Sequence, residues 1–256
     1  MRPESVEIKV TLSGVEAGNA VTELELSDGQ EWQILFCEDV SVGVAPSTPL
    51  LDLGVVLRIR RKSGRKGDTT VKLRPCRWSQ LSEEFFTNDK SDRRELKIEA
   101  DWSGPKRTLA AALTADWDDD RMAETFAGHR SAASLFEKGQ RRFLDQCGAG
   151  RVNLDAVTVL APVAATRWKE ASASVWGRDL SYRAERWIID DIDFLELSIV
   201  SDPANAEDDQ AALHQFVAER SLASDQSQEN KTQRVVRHLV ERALAAAAPQ
   251  GVIRNR

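Results

Sequence analysis

Charged side chains recur at every second position in several short stretches of this sequence. Arg58 and Arg60 are separated by one apolar residue, Glu7 and Lys9 are spaced in the same way, and Lys72 lies between two apolar residues. An arginine fork binds phosphate through two parallel hydrogen bonds, whereas carboxylates hold hard cations such as Mg²⁺ or Mn²⁺. Such residues, if several strands bring them together, could bind a polyanion and a metal ion.

The elements that would carry these residues can be read from the periodicity. A period of two predicts strands in the first hundred residues, and strand-like segments resume at 157–176, 182–190 and 194–200. An alanine-rich stretch with apolar residues three and four apart predicts one or two helices from about 108 to 150. Two more helices are predicted after residue 203 and from about Lys231. This order indicates an antiparallel α+β architecture rather than a doubly wound parallel sheet.

Composition excludes several classes of protein. The chain has 256 residues, a formal charge of −6 and a pI near 5.3, which favours one acidic domain and argues against nucleic acid as a partner. No run of about 18 apolar residues is present, and the N-terminus lacks the apolar core of a signal peptide. Its three cysteines are widely spaced, which is typical of reduced thiols. We therefore expect a cytoplasmic protein with no membrane partner.

The order of the charged strands resembles the CYTH family, also called triphosphate tunnel enzymes. Glu7-Ile8-Lys9 resembles its opening E-x-E-x-K motif, and the segment from Gly54 to Arg60 resembles its G-x-x-L-R-x-R motif. A lysine strand, an acidic strand, a later basic strand, an E-x-E-like strand and a C-terminal lysine follow in the family's order. The matching positions are Glu7, Lys9, Arg58, Arg60, Lys72, Glu95, Glu99, Arg167, Glu196 and Lys231.

The resemblance implies a fold and an activity. The fold would be an antiparallel β-barrel, a tunnel with a charged interior and flanking helices. It would form a single domain over residues 1–248, with a helical insert at about 108–150 and a frayed tail at 249–256. The activity would be metal-dependent hydrolysis of inorganic triphosphate or of a small molecule that contains triphosphate. Lys9, Arg58, Arg60, Lys72, Arg167 and Lys231 would bind phosphate, and Glu7, Glu95, Glu99, Asp190 and Glu196 would hold Mg²⁺ or Mn²⁺.

Two departures from the family pattern leave alternatives open. Ser5 and Ser198 stand where the opening motif and the late strand would each have a glutamate. The chain could therefore be a polyphosphate- or nucleotide-binding protein with little or no catalysis, or an adenylate cyclase-like member of the family. Glu95 and Glu99 share a strand face, and the periodicity does not choose between them. The charged strand faces could also be solvated, with Lys97 an ordinary exposed lysine.

Overall fold

The computed structural model describes residues 3–40, 46–62, 66–87, 94–225, 227 and 230–247. The strands of this part of the chain are β1 (Ser5–Ser13), β2 (Gln30–Glu38), β3 (Val55–Arg61), β4 (Gly67–Leu73), β5 (Arg94–Ser103), β6 (Lys106–Trp117), β7 (Thr158–Val159), β8 (Val163–Val175), β9 (Arg178–Ile189) and β10 (Ile192–Ser201). The α-helices are α1 (Val15–Glu23), α2 (Pro49–Asp52), α3 (Glu84–Thr87), α4 (Asp119–Phe126), α5 (Lys138–Cys147), α6 (Ala206–Glu219) and α7 (Lys231–Ala247).

Nine of these strands close into a barrel. Their order is β3-β4-β6-β5-β1-β10-β9-β8-β2, and β2 pairs with β3 to complete the ring, while the short β7 pairs with β2 at its edge. The predicted barrel and its flanking helices are confirmed. The pairing is mixed rather than purely antiparallel, because β1 and β5 run parallel to each other. A parallel pair is possible here because a long stretch of chain connects the two strands.

The barrel has its apolar face on the outside. In β1 the residues Val6, Ile8, Val10 and Leu12 are buried in one cluster with side chains of α1 and α6. The alternate residues, including Glu7, therefore face the barrel interior. Two further apolar clusters pack α4 and α5 against one part of the wall and α7 against another. The hydrophobic core thus lies between wall and helices, which leaves the interior free for charged groups.

The predicted helical insert begins later than expected. Residues 108–117 belong to β6, which pairs with β4 and β5, so only α4, α5 and a short 3₁₀ turn are helical in this region. The alanines of β6 were misread as a helix signal. Ala112 lines the interior and lies opposite both Lys72 and Lys97. A small side chain at this position leaves room for the two long ones, so tertiary packing overrides helix propensity.

Two other boundary predictions are not tested by the fold. The predicted frayed tail at 249–256 lies outside the described residues, and the domain limits at 1 and 248 remain predictions. None of the described helices is both long enough and apolar enough to cross a membrane.

Candidate functional site

The barrel encloses a cavity of about 270 Å³ that is rich in charged side chains. The cations that line it are Lys9, Arg58, Arg60, Lys72, Arg74, Lys97, Arg167, Arg183 and Lys231. The acids that line it are Glu7, Glu95, Glu99, Glu185 and Glu196. Cations still outnumber acids among the described residues when Asp68 and Asp101, which pair with lining cations, are included. The cavity should therefore attract an anion.

The structure brings most of the predicted site residues to this cavity. The ten that line it are Glu7, Lys9, Arg58, Arg60, Lys72, Glu95, Glu99, Arg167, Glu196 and Lys231. They come from six strands and one helix, so only the closed barrel could assemble them. Lys97, interpreted from the sequence as an ordinary exposed lysine, also lines the cavity, with its side chain 41% exposed. The functions assigned to these residues remain predictions.

Asp190 is the exception among the predicted metal ligands. It occupies the turn between β9 and β10, with a positive φ of 53°. His238 Nε2 lies 2.8 Å from its carboxylate, and Arg242 Nη1 donates to both of its oxygens at 3.0 and 2.8 Å. Both partners belong to α7. Asp190 therefore links the turn to this helix on the outside of the barrel and was wrongly placed in the site.

Arg58 is held in the cavity without a carboxylate partner. Its Nη2 donates to Thr70 Oγ1 at 3.2 Å, its Nε is buried without a hydrogen bond, and no acid of the described residues lies within ion-pair distance. Burial, together with the neighbouring Arg60, lowers the pKa of Arg58 to about 10. A buried cation without a counter-ion is costly. The Arg58 guanidinium is thus the group in this wall that a bound anion would stabilise most.

Arg60, two residues along the same strand, is already neutralised. Its Nε lies 3.1 and 3.0 Å from the two oxygens of Asp68, and its Nη2 lies 2.8 Å from Asp68 Oδ2. Asp68 is on β4, directly opposite Arg60 in the strand pairing. The two predicted arginines therefore differ: Arg60 is fixed by a fork-like ion pair, and Arg58 is not.

One cation of the cavity, Lys231, is contributed by a helix instead of a strand. Lys231 is the first residue of α7, which Asn230 caps by accepting a hydrogen bond from the Gln233 amide at 3.0 Å. Its ammonium is buried over the Trp187 ring, 4.1 Å from the centroid, and lies 3.3 Å from Glu196 and 3.6 Å from Glu185. The α7 N-terminus thus adds a cation and a positive dipole end to the cavity.

Sequence reasoning missed Glu185, which balances these cations. Burial alone would raise its pKa, but Lys231, Arg60 and Arg58 outweigh that effect and lower the pKa to about 2. Trp187 Nε1 donates to Glu185 at 2.5 Å and helps to fix the carboxylate. Glu185 was overlooked because its strand carries no family motif. Its alternation with Arg183 and Trp187 was the available signal.

The acidic side of the cavity is a cluster of Glu7, Glu99 and Asp101. One ligand oxygen from each lies within 4.8 Å of the others. Glu99 belongs to this cluster, whereas Glu95, which also lines the cavity, lies four residues earlier on β5, opposite Thr114. Asp101, whose side chain is fully buried, was missed although it continues the same alternation along the strand.

Cations of the cavity already neutralise this acidic cluster. Lys9 Nζ lies 2.7 Å from Glu7 and 2.9 Å from Asp101. Lys72 Nζ lies 3.3 Å from Asp101 and 3.5 Å from Glu99, and Arg74 Nε lies 3.2 Å from Asp101. Burial would raise the pKa of Asp101, but Lys9, Lys72 and Arg74 together hold it well below its usual range.

The three carboxylates fit a hard divalent cation by their chemistry. Mg²⁺ and Mn²⁺ prefer oxygen ligands, and two or three protein carboxylates completed by water or phosphate are a common ligand set. The two serine positions differ in their relation to the cavity. Ser198 lines it, directly opposite Lys9 in the β1–β10 pairing, whereas Ser5 is not among the described residues that line it.

The charged interior should make the fold acid-sensitive. The pKa of Glu7 is lowered from 4.5 to about 2, because Lys9 and Lys72 outweigh the opposing effect of burial, and Glu185 is lowered similarly. Below pH 4.5 the unfolded chain binds more protons than the folded one, so stability falls as the pH drops towards 2. Each group contributes on the order of 3 kcal/mol at neutral pH.

Urea unfolding from pH 7 to pH 2.5 would measure this loss. In Glu185→Gln the fall below pH 4.5 should be shallower, since one of the carboxylates with a lowered pKa is gone. A wild-type free energy of unfolding that stays constant down to pH 3 would contradict the expectation.

Comparisons with known proteins place this barrel among solved structures. No protein-family model matches the chain, and neither does any curated protein. A candidate adenylate cyclase from Bacillus halodurans has a TM-score of 0.54 and 12% identity, over 91% of this chain and 97% of its own. A candidate adenylyl cyclase from Hippeastrum, described as having a dominant triphosphatase activity, has a TM-score of 0.52 and 14% identity, over 98% and 100%. This chain therefore has the fold of a divergent CYTH domain.

Proposed function

We propose that this protein is a metal-dependent phosphohydrolase that acts on triphosphate-containing small molecules. The observation that carries the proposal is Arg58, a half-buried arginine whose Nε is buried without a hydrogen bond and which has no carboxylate partner among the described residues, in a cavity with more cations than acids. A triphosphate, with three to four negative charges at neutral pH, would supply the missing counter-ion. The triphosphatase activity of the Hippeastrum protein is consistent with this reading.

The cations of the cavity suit phosphate binding from several directions. Arg58 is on β3, Arg167 on β8 and Lys231 on α7, so their charges converge from different parts of the wall. Arg167 is only loosely paired, at 4.0 Å from Glu185. Guanidinium groups match the geometry of phosphate oxygens, and a closed barrel limits the water that competes for them. Binding would thus fix the phosphate chain along the tunnel.

The acidic cluster of Glu7, Glu99 and Asp101 would hold the metal. When bound, Mg²⁺ or Mn²⁺ would neutralise phosphate charge and orient a water for attack on the terminal phosphorus. In this structure Lys9 and Lys72 neutralise the same carboxylates. A bound triphosphate would offer these ammonium groups other anions to pair with. We therefore expect metal and phosphate to bind more strongly together than separately.

Phosphate release tests this proposal. Inorganic triphosphate, ATP and thiamine triphosphate would be incubated with Mg²⁺, with Mn²⁺ or with chelator, across neutral to alkaline pH. We expect release of phosphate that requires a divalent cation and is lost in Glu7→Gln, while Asp190→Asn, outside the barrel, keeps full activity. Background release under every condition, with all three substrates, would sink the hydrolase proposal.

The same experiment separates the two alternatives. A polyphosphate-binding protein is favoured by the full neutralisation of the acidic cluster and by Ser198 in place of an acid. It would bind triphosphate in calorimetry without releasing phosphate. A cyclase would convert ATP to pyrophosphate and cyclic AMP rather than to phosphate. Product analysis therefore distinguishes all three functions.

A further inference from the structure

The hairpin of β8 and β9 extends beyond the barrel wall to which it belongs. β2 pairs with β8 only as far as Arg167, and β10 pairs with β9 only as far as Arg183. Beyond these points the described strands β8 and β9 pair only with each other, up to the rung that joins Val175 and Arg178. Residues 168–182 therefore form a two-stranded extension of the sheet, which we call the ribbon.

One face of the ribbon is covered by the body of the protein. Val175, Leu180 and Tyr182 are buried in the apolar cluster that contains side chains of α6. The Tyr182 ring lies 5.1 Å from the ring of Phe216, which belongs to that helix. A hairpin that stood alone in water would be only marginally stable. The packing against α6 thus holds the ribbon in place and leaves the opposite face, which includes Ser172, exposed.

The outer edge of β8 is open along the ribbon. Over residues 171–175 no described strand other than β9 pairs with β8, and no backbone hydrogen bond from a described loop reaches this edge. Its side chains, Ala-Ser-Ala-Ser-Val, are small and uncharged. Proteins usually block an open edge with lysine, proline or a bulge, and here Lys169 and a bulge lie only at the base of the edge. The edge thus presents amide and carbonyl groups to which a further strand could bind.

The tip of the ribbon carries a large apolar residue in a backbone conformation that costs energy. Trp176 and Gly177 are the two central residues of the turn, with φ values of 51° and 74°. Positive φ at both positions defines a type I′ turn, for which Asn-Gly is preferred. A tryptophan in the left-handed region costs about 1–2 kcal/mol, yet Trp176 is 64% exposed and has no ring contact with another described residue. An exposed aromatic residue held in such a conformation is typical of a contact site.

We propose that this edge is the interface of a homodimer, in which β8 of one copy pairs in the antiparallel sense with β8 of a second copy across a two-fold axis. The uncharged edge is complementary to itself. With the axis at Ala173, Ser172 of each copy lies opposite Ser174 of the other copy, and no like charges meet over residues 171–175. The same pairing brings Trp176 of each copy beside the base of the other ribbon, where its exposed ring becomes covered.

The closed barrel explains why two copies, and not an open chain of copies, would form. An open chain needs an edge that pairs with a different edge of the next copy. Closure of the barrel leaves few such edges. β7 has only two residues, and the β9 side of the ribbon carries the charge of Asp179 and the bulky Tyr182. An edge that pairs with its own copy is used up in the dimer.

The molar mass in solution tests the proposal. The paired edges make a small interface, so the dimer should be weak, and sedimentation equilibrium from about 1 µM to 1 mM covers dissociation constants of this kind. We expect the mass to rise from that of one chain, 28.5 kDa, towards twice that value. Amide exchange gives an independent measurement. Alternate amides of residues 171–175 face away from β9, and these should become protected only as the dimer forms.

Ser172→Lys and Ser181→Lys are a matched pair of variants. Both serines are exposed and lie opposite each other on one rung, Ser172 on the open edge strand and Ser181 on β9. Neither is among the described residues that line the tunnel. Ser172→Lys should raise the dissociation constant of the dimer about fivefold or more, because two lysines then flank the two-fold axis, whereas Ser181→Lys should change it less than about twofold.

Trp176→Asn tests the tip of the ribbon. Asparagine suits the left-handed turn position, so at low concentration the variant should melt at the temperature of the wild type or higher. Its dimer should be about tenfold weaker, since a covered tryptophan is lost from the interface. The proposal would be overturned by a wild-type chain that stays monomeric up to about 1 mM. Equal effects of Ser172→Lys and Ser181→Lys on the dimer, or a dimer that Trp176→Asn leaves unchanged, would overturn it as well.

Discussion

Arg58→Met is expected to weaken triphosphate binding by about 10- to 100-fold, since a hydrogen bond to a charged group contributes about 1.5–3 kcal/mol. The same change should leave the unliganded protein as stable as the wild type or more stable. Arg58 has no carboxylate partner among the described residues, and its Nε has no hydrogen bond. Methionine keeps much of the buried stem and removes the charge, so little packing is lost.

The gain in stability expected for Arg58→Met is limited by the cost of burying the arginine charge. The pKa of Arg58 is lowered from 12.5 to about 10, chiefly by burial, which corresponds to a cost of up to about 3 kcal/mol for keeping the charged form in the fold. A group that destabilises the free protein and stabilises its complex is typical of a binding site rather than of a structural ion pair.

Arg60→Met is the matched control for Arg58→Met. It removes the partner of Asp68, whose side chain is 10% exposed, and should lower the free energy of unfolding by about 3 kcal/mol. Thermal unfolding with and without inorganic triphosphate would separate the two variants. A wild-type-like shift of the melting temperature by triphosphate in Arg58→Met would show that Arg58 does not bind the ligand.

The sequence predicts the inward face of the barrel better than its helices. Strand alternation predicts that Glu7 and Lys9 share one face of their strand, opposite its apolar face. It likewise places Arg58 and Lys72 on the charged faces of their own strands, because successive side chains point to opposite sides of a sheet. Alternation alone cannot tell an exposed face from the inside of a closed barrel. Closure depends on the β2–β3 pairing, which local sequence does not encode. The family resemblance supplied that step.

The residues that were missed have a common physical cause. Asp68, Asp101 and Glu185 are counter-ions, and each was recognised only through the cations that surround it. Motif matching selects residues that would touch a ligand and gives little weight to those that pair with them. A charge count across the predicted faces would have suggested such acids, because buried cations need partners. Asp190 was assigned to the site because it lies close in sequence to the late strand. It belongs to the turn before that strand, so its side chain does not reach the barrel interior.

Asp101→Asn should have the largest effect on stability. The fully buried Asp101 carboxylate lies 2.9 Å from Lys9, 3.3 Å from Lys72 and 3.2 Å from Arg74. Its loss leaves three cations to share the remaining acids, at a cost of about 3–5 kcal/mol in the free energy of unfolding. Glu95→Gln, on the same strand and in the same cavity but without a described ion pair, should cost less than about 1 kcal/mol. Urea unfolding at pH 7 would measure both.

The same substitution should strengthen the response to a ligand. Asp101 competes with a bound anion for Lys9 and Lys72, so its removal frees these cations for phosphate. Inorganic triphosphate without metal should therefore stabilise Asp101→Asn more than it stabilises the wild type, because a tighter ligand adds more folding free energy at equal concentration. Adding Arg74→Met to Asp101→Asn should recover part of the lost stability, as it removes one of the unpaired cations. A smaller ligand-induced shift in Asp101→Asn than in the wild type would mean that Asp101 positions these lysines for the anion instead of competing with it.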